Sequence, residues 1–452
     1  MLMRWIFFVT VCFLVPGLKA QDTVRLSLAD VLIAAENNYP KLKSNRYQLE
    51  ASKAGIKLQQ QTLIPQLDAA YQANLATHNN ITGMWLPQYV LPISGPPSVN
   101  NDYGPVTGSA ASLLLQWQPG IFGERVSNIN FATATSQTLQ SKNEQDIFTH
   151  KIKVCGQYID LVYVQKLLKL YEENIRISEN QLRQVRVLAA TGLRPGVDTA
   201  LIQSELSRSR IEWLKIKNAF AGTITALQES LATDSVVIGK DTLLYASVPQ
   251  QQLSDTLEHP LLKTARLSIE EANTKRITIS KLAVPHLSVW GTTYARGSGV
   301  DYTGAVKTFD GFSLNRFNYG LGLQLSVPLL KQAELKTKLQ QQDWIIKSEQ
   351  EKLNQVSTAL KEQRKYADIA FSNTRSIAVE TPLQVRSAEY AFRSMQVRYT
   401  NGLVNYTELL QTQTVLLKAK IDLANSQSEL WKALLYKAAV YGDINLFVNQ
   451  VK

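Results

Sequence analysis

Tyr319 to Pro328 reads YGLGLQLSVP. Tyr319, Leu321, Leu323, Leu325 and Val327 alternate without error with Gly320, Gly322, Gln324 and Ser326. That two-residue period is the mark of a strand with one apolar face. A strand needs partners, and three other stretches supply the same alternation. QLDAAYQANLATH (66–78) places Leu67, Tyr71 and Leu75 on one face, and SLLLQWQ (112–118) does so with Leu113, Leu115 and Trp117. HLSVWGTTYARG (286–297) is the remaining one. The expected strands are therefore about 66–78, 110–118, 286–297 and 318–328.

The spacing of these strands follows from an internal duplication. NNYPKLKS (37–44) is echoed by LEHPLLKT (257–264), and LIPQLDAAY (63–71) by AVPHLSVWG (283–291). Pro40 and Pro65 are 25 residues apart, as are Pro260 and Pro285, so one offset of 220 superposes both pairs. Further on, AATGLRPGVDTAL (189–201) answers YTNGLVNYTELLQ (399–411) at an offset of 210. Two offsets ten residues apart describe one duplication with altered loops. The expected division is a first repeat over 21–235 and a second over 236–452.

Each copy predicts the same order of parts. A helix of about 25 residues runs between the prolines, and the second proline ends it because it has no donor and crowds the preceding turn. Two strands follow, separated by a stretch rich in Pro, Gly, Asn and aromatics (79–108, then 298–317). Next come a very long helical stretch (124–190 and 333–400), a glycine turn (Gly192 or Gly402) and a return helix (198–231 and 406–439). At 1.5 Å per residue the 124–190 helix spans about 100 Å. Helices of that length are held by packing along a seam. Leu409, Thr412, Leu416, Ala419 and Leu423 provide one at 3-4-3-4 spacing. Pro382 is expected to kink the second long helix or to join two shorter ones.

Composition narrows the classes. The first 20 residues carry a basic start (MLMR), an apolar core (WIFFVTVCFLVPGL) and LKA before Gln21, the pattern of a secretory signal peptide. Removing them leaves 46 basic against 37 acidic residues, a net charge of +9. The basic residues are dispersed among Glu and Gln without interleaved aromatics, which describes a solvated helix surface and not a nucleic-acid site. Cys155 is then the one remaining cysteine, so no intramolecular disulfide is possible. It falls in the 4-3-4-3 series Phe148, Ile152, Cys155, Ile159, Val162 and reads as a seam residue. His78, His150, His259 and His286 show no metal-ligand spacing, and no nucleophile elbow or phosphate loop is present. No enzyme, cofactor, catalytic residue or metal site is expected.

Four strands among so much helix cannot make a soluble sandwich. An apolar face turned outward and a small or polar face turned inward is the pattern of a membrane barrel. Four strands alone leave two open edges in lipid, which is prohibitive. Two copies of the chain would give eight strands with a filled interior, and three would give twelve with room for a lumen, so a pore argues for three. The class remaining in competition is a soluble periplasmic coiled-coil adaptor or structural protein without a pore.

With the duplicated proline-bounded helix, the two hairpins and the paired Gly-Leu turns before an acid-opened helix, the chain resembles the TolC-like outer-membrane efflux protein family over nearly all of its length after the signal peptide. The resemblance implies a mixed α/β membrane protein: a homotrimer with a shared 12-stranded antiparallel β-barrel continued by a long antiparallel α-helical coiled-coil tunnel. It further implies an outer-membrane location reaching into the periplasm, a periplasmic adaptor, and an inner-membrane pump for which the duct is the exit. The tip turns Gly192–Leu193 and Gly402–Leu403 would be the adaptor-docking surface. Glu408, six residues past Gly402, would stand in an acidic gate ring, with Gln411 where the family can carry a second acid. Asp198 and Tyr399 match positions that link neighbouring helices in the closed gate. Tyr319, Leu321, Leu323, Leu325 and Val327 would face outer-membrane lipid.

Overall fold

A computed structural model of the chain describes residues 25–80, 96–192, 195–233, 237–238, 249 and 258–451. The expected signal peptide and Leu193 lie outside the described residues, as do 81–95 of the first hairpin loop. Two compact units emerge, and each takes parts of both halves of the chain. Among the described residues, those within 1–44, 146–259 and 360–452 form one, and those within 45–145 and 260–359 form the other.

The second unit contains the sheet. Strands β2 (Gln66–Ala76), β3 (Val106–Trp117), β5 (His286–Ser298) and β6 (Arg316–Ser326) pair in that order, all antiparallel. (β1, Arg25–Leu26, and β4, Val237–Ile238, form a separate two-residue parallel pair in the other unit.) Strand β3 begins earlier than its alternation indicates. Val106 and Thr107 pair with Ala76 and Leu75, so the full length of β2 is matched although Gly108 and Ser109 interrupt the apolar pattern. At that end Ser109 Oγ donates to the Gly311 carbonyl at 2.7 Å, and Thr107 Oγ1 donates to the Thr308 carbonyl, which tie the 299–315 connection to β3.

The register sorts the sheet into two faces. One rung reads Leu67, Leu115, Gly291, Leu321, and the next on that side reads Ala69, Leu113, Thr293, Tyr319. No charged residue falls on this face in any of the four strands. The opposite face carries Gln66, Gln116, Trp290, Gly322 on one rung and Asp68, Leu114, Thr292, Gly320 on another. Gly322 is required there: a Cβ would come within 2.5 Å of the Trp290 ring, which lies over the bare backbone. Strands β2 and β6 are edges with one unpaired side each.

Helices α2 (Pro40–Gln61) and α5 (Pro260–Ser280) both open on proline, whose missing N–H costs nothing in a first turn. The long helices are α3 (Glu124–Ala190), of 67 residues, and α6 (Gln332–Thr400), of 69. Helix α6 runs unbroken through Pro382, so two shorter helices are not what forms. Pro382 cannot donate to the Ala378 carbonyl four residues back. Thr381 Oγ1 lies 3.4 Å from that carbonyl and 2.9 Å from Ser426 Oγ on the return helix, giving the vacated acceptor a local partner.

The first unit holds the larger apolar core. Helices α1 (Leu28–Asn38), α3, α4 (Gly196–Leu231), α6, α7 (Tyr406–Tyr441) and α8 (Asn445–Val451) contribute Val31, Tyr158, Leu161, Leu227, Phe371, Trp431 and Phe447 to it. Cys155 is wholly buried in this core, and burial pushes its thiol up to about 12. It is a packing residue, as its seam position predicts. Helices α1 and α8 are not among the elements expected from the sequence. Helix α1 is fixed by a capping box in which Ser27 and Asp30 bond each other's backbone N–H.

Two histidines are built into this unit as neutral rings. His150 stacks on Tyr39 at 4.0 Å, and its Nε2–H donates to the Ser230 carbonyl at 3.0 Å. His259 donates likewise to Ala439 at 3.0 Å. Burial lowers both pKa values, with Lys153 and Lys41 adding to the shift at His150 and Arg364 at His259. In the unfolded chain each titrates near 6.5. Just below that pH the unfolded state takes up more protons, so stability falls as pH drops. The urea midpoint is expected to decline from pH 7 to 5.5, and an H150Q/H259Q double variant to flatten that slope; an equal slope in the variant would contradict it.

Candidate functional site

The two turn glycines share one backbone conformation. Helix α6 ends in Thr400, Gly402 takes φ +75°, and its N–H bonds the Tyr399 carbonyl at 3.0 Å. The Leu403 N–H reaches the Arg398 carbonyl at 2.9 Å, completing the paired closure that needs a left-handed residue after a helix. Gly192 follows α3 with φ +74° and bonds Ala189 at 3.1 Å. Leu403 is exposed, whereas Val404 beside it is buried.

The first turns of the return helices carry the acids, with opposite fates. Asp198 is the third residue of α4 and is buried; Glu408 is the third of α7 and is exposed. Asn405 caps α7 by accepting from the Glu408 N–H at 3.0 Å. Gln411, one turn on, is also exposed. Asp198 faces inward, and the Tyr399 hydroxyl donates to its Oδ2 at 3.4 Å. The Tyr399 ring meets Tyr406 edge to face at 5.8 Å, and the Tyr406 hydroxyl points to Gln181 Oε1 at 3.5 Å. Burial, then the charges of Glu205 and Asp198 together with Tyr399, raise the Tyr406 phenol well above its ordinary range. The structure thus brings Asp198 and Tyr399 together and leaves Glu408 and Gln411 on the surface of the chain.

Next to this pair lies a polar seam that the sequence reading missed. Gln413 Nε2 donates to Asn174 Oδ1 at 3.0 Å and to Ser178 Oγ at 3.2 Å. Asn174 Nδ2 passes the chain on to Ser209 Oγ at 2.8 Å, and Ser209 reaches buried Glu205 at 3.5 Å. Arg208 holds Glu205 at 2.9 Å. The seam joins α3, α4 and α7 through hydrogen bonds where their neighbours use leucine. Gln413 Oε1 and Gln181 Nε2 are buried and have no partner among the described residues. A partly satisfied network holds its helices less firmly than a closed one.

Among the described residues no group of His, Cys, Asp and Glu is placed to hold a metal ion, and no helix is long and apolar enough to cross a membrane. On the strands, Tyr319, Leu321, Leu323 and Leu325 stand exposed on the uncharged face, and exposed Val327 follows β6.

The family model described as outer membrane efflux protein matches residues 31–233 and 254–436. No curated protein matches the chain in sequence. Among solved structures, the outer membrane protein VceC of Vibrio cholerae is similar at 15% identity, with 92% of this chain and 96% of that one covered and a TM-score of 0.70. The CmeC outer membrane channel of Campylobacter jejuni is similar at 14% identity, 92% and 85% coverage, and a TM-score of 0.73. The MtrE outer membrane channel of Neisseria gonorrhoeae, solved in its open state, is similar at 14% identity, 92% and 89% coverage, and a TM-score of 0.71. The chain belongs to the outer membrane efflux protein family, and its place is the outer membrane, from which it extends into the periplasm.

Proposed function

We propose that three copies of this chain form the exit duct of a tripartite efflux or secretion system. The duct carries substrate from an inner-membrane pump across the periplasm and the outer membrane. The observation that carries the reading is the sheet: four strands, one face without a charge, the other polar, and two unpaired edges. Edges in lipid cost several kcal/mol per unsatisfied group, so other copies must pair with them. Three copies give twelve strands and a lumen. The face bearing Tyr319, Leu321, Leu323, Leu325 and Val327 then meets lipid, and the face bearing Gln66, Asp68 and Gln116 lines the passage.

In this reading 21–235 and 236–452 are two copies of one unit. The turns at Gly192–Leu193 and Gly402–Leu403 are the surface that a periplasmic adaptor engages. The Tyr399–Asp198 bond and the adjoining polar seam form the closed gate, and Glu408 with Gln411 rings its axis. A seam of exchangeable hydrogen bonds suits a two-state element, because its helices can slide without exposing leucine to water.

The test is reconstitution of the purified outer-membrane protein in planar bilayers, with its size followed on gels with and without heating. Discrete conductance steps from a heat-sensitive, trimer-sized species are expected. A soluble periplasmic monomer without conductance would overturn the reading.

A further inference from the structure

The polar face of the sheet holds one rung unlike the others. Counted across the strands it reads Gln72, Ala110, Arg296, Arg316. Arg296 and Arg316 are direct cross-strand partners on β5 and β6, so two guanidinium groups leave the same side of neighbouring strands. Like charges placed opposite each other destabilise a sheet. Both are exposed, and neither forms an ion pair among the described residues. The other charged strand residues on this face do not offset them. Asp68 lies two rungs away and accepts from Gln66 Nε2 at 2.9 Å, while His286, at the opposite end of β5, lies 3.2 Å from Glu124. On the hairpin connection, Lys307 is already paired with Asp301. Their neighbours on the rung are alanine and glutamine, neither of which carries a neutralising charge. A repelling, unneutralised pair on a solvated face has the chemistry of an anion site.

We infer that Arg296 and Arg316 form a ring of guanidinium groups inside the barrel, near its outer mouth, that binds and favours anionic solutes bearing carboxylate, phosphate or sulfonate groups. The inference rests on the duct reading, since three copies bring six guanidiniums around one lumen. The pair sits two residues from the end of β5 and at the start of β6, next to the hairpin connection and away from the helix-joined ends of both strands. Tyr294 and Asn318 occupy the next rung of the same face, and Trp290 lies farther along β5. An organic anion held by the arginines would therefore meet aromatic surface immediately beneath. The acidic residue of the proposed gate, Glu408, would act on the opposite charge.

The test uses the full-length protein in planar bilayers with tripolyphosphate added on the barrel side. Wild-type current is expected to be blocked. Block should weaken by about tenfold or more in an R296Q/R316Q double variant, because two charges per chain leave one ring. It should persist in R296K/R316K, which keeps the charge. Chloride-over-potassium permeability should fall in the glutamine variant and hold in the lysine variant. Removing a repulsion gives the glutamine variant no reason to misfold, and wild-type block is a reading independent of any variant. A conducting wild type insensitive to tripolyphosphate, or equal block in wild type and R296Q/R316Q, would overturn the inference and leave the duct intact. A wild type that forms no conducting species would overturn the duct reading and this inference with it.

Discussion

Replacing Tyr399 with phenylalanine is expected to raise the open fraction of the reconstituted channel by about tenfold. The hydroxyl is the one atom removed, and its partner is buried Asp198 at 3.4 Å, a long and therefore weak bond. Such a bond contributes about 0.5 kcal/mol, at the low end of the usual range. Three copies acting together then contribute about 1.5 kcal/mol, which is about a factor of ten in a two-state equilibrium. Asp198→Asn should move conductance in the same direction, because it removes the charge from the acceptor without changing its size. The apolar cluster around the pair, with Leu182, Ile202, Phe392 and Leu409, is untouched by either change, so thermal stability should shift little. Equal conductance in wild type and both variants would take the pair out of the gate.

Leu321→Arg is expected to be the most damaging single change in the sheet. Leu321 is 79% exposed in the chain alone and stands on the uncharged rung with Leu67, Leu115 and Gly291. If that face meets hydrocarbon, an arginine near its middle costs about 2–4 kcal/mol in each chain. Three chains carry the change at once, so the assembled protein should dissociate at a markedly lower temperature. Gln324→Arg is the matched control, three residues away on the polar face. In a wet lumen it should cost less than about 1 kcal/mol. The reverse ranking would mean that the faces are assigned the wrong way round.

Much of the fold was legible because the periodicities are long and clean. Helix α3 occupies 124–190 as read, since nothing but Gly156 weakens it and proline or glycine bounds it. The strands could be phased because apolar and small residues alternate without error over the last of them. Elsewhere tertiary contacts override local pattern. Pro382 looked like a break, but the helix continues, with the Thr381 hydroxyl beside the vacated carbonyl. Gly108 and Ser109 look like loop, yet β2 supplies enough length to pair with them. Helix α1 went unread because its cap, Ser27 with Asp30, is a short signal beside a 67-residue helix.

The candidate site was legible in part. The turn glycines and the acids after them stand out through duplication, and Asp198 and Tyr399 do meet. What separates the fates of Asp198 and Glu408 is packing: only the former has a tyrosine from the other half placed against it. The polar seam of Asn174, Ser178, Ser209 and Gln413 left almost no trace. Amides and hydroxyls on a helix read as solvent residues until a neighbouring helix covers them. Gln413, buried between the seam positions Leu409 and Leu416, was the available clue.

In the proposed duct this sheet is completed by other copies of the same chain. Hydrogen exchange at the backbone amides of β2 and β6, on protein assembled in outer-membrane vesicles, reports that completion. Each edge strand has one row of amides without a partner in its own chain. Closure into a barrel predicts that both rows of both strands exchange as slowly as the amides of β3 and β5. If alternate amides of β2 and β6 exchange at the rate of an open edge, the strands are not joined to other copies and the duct does not exist.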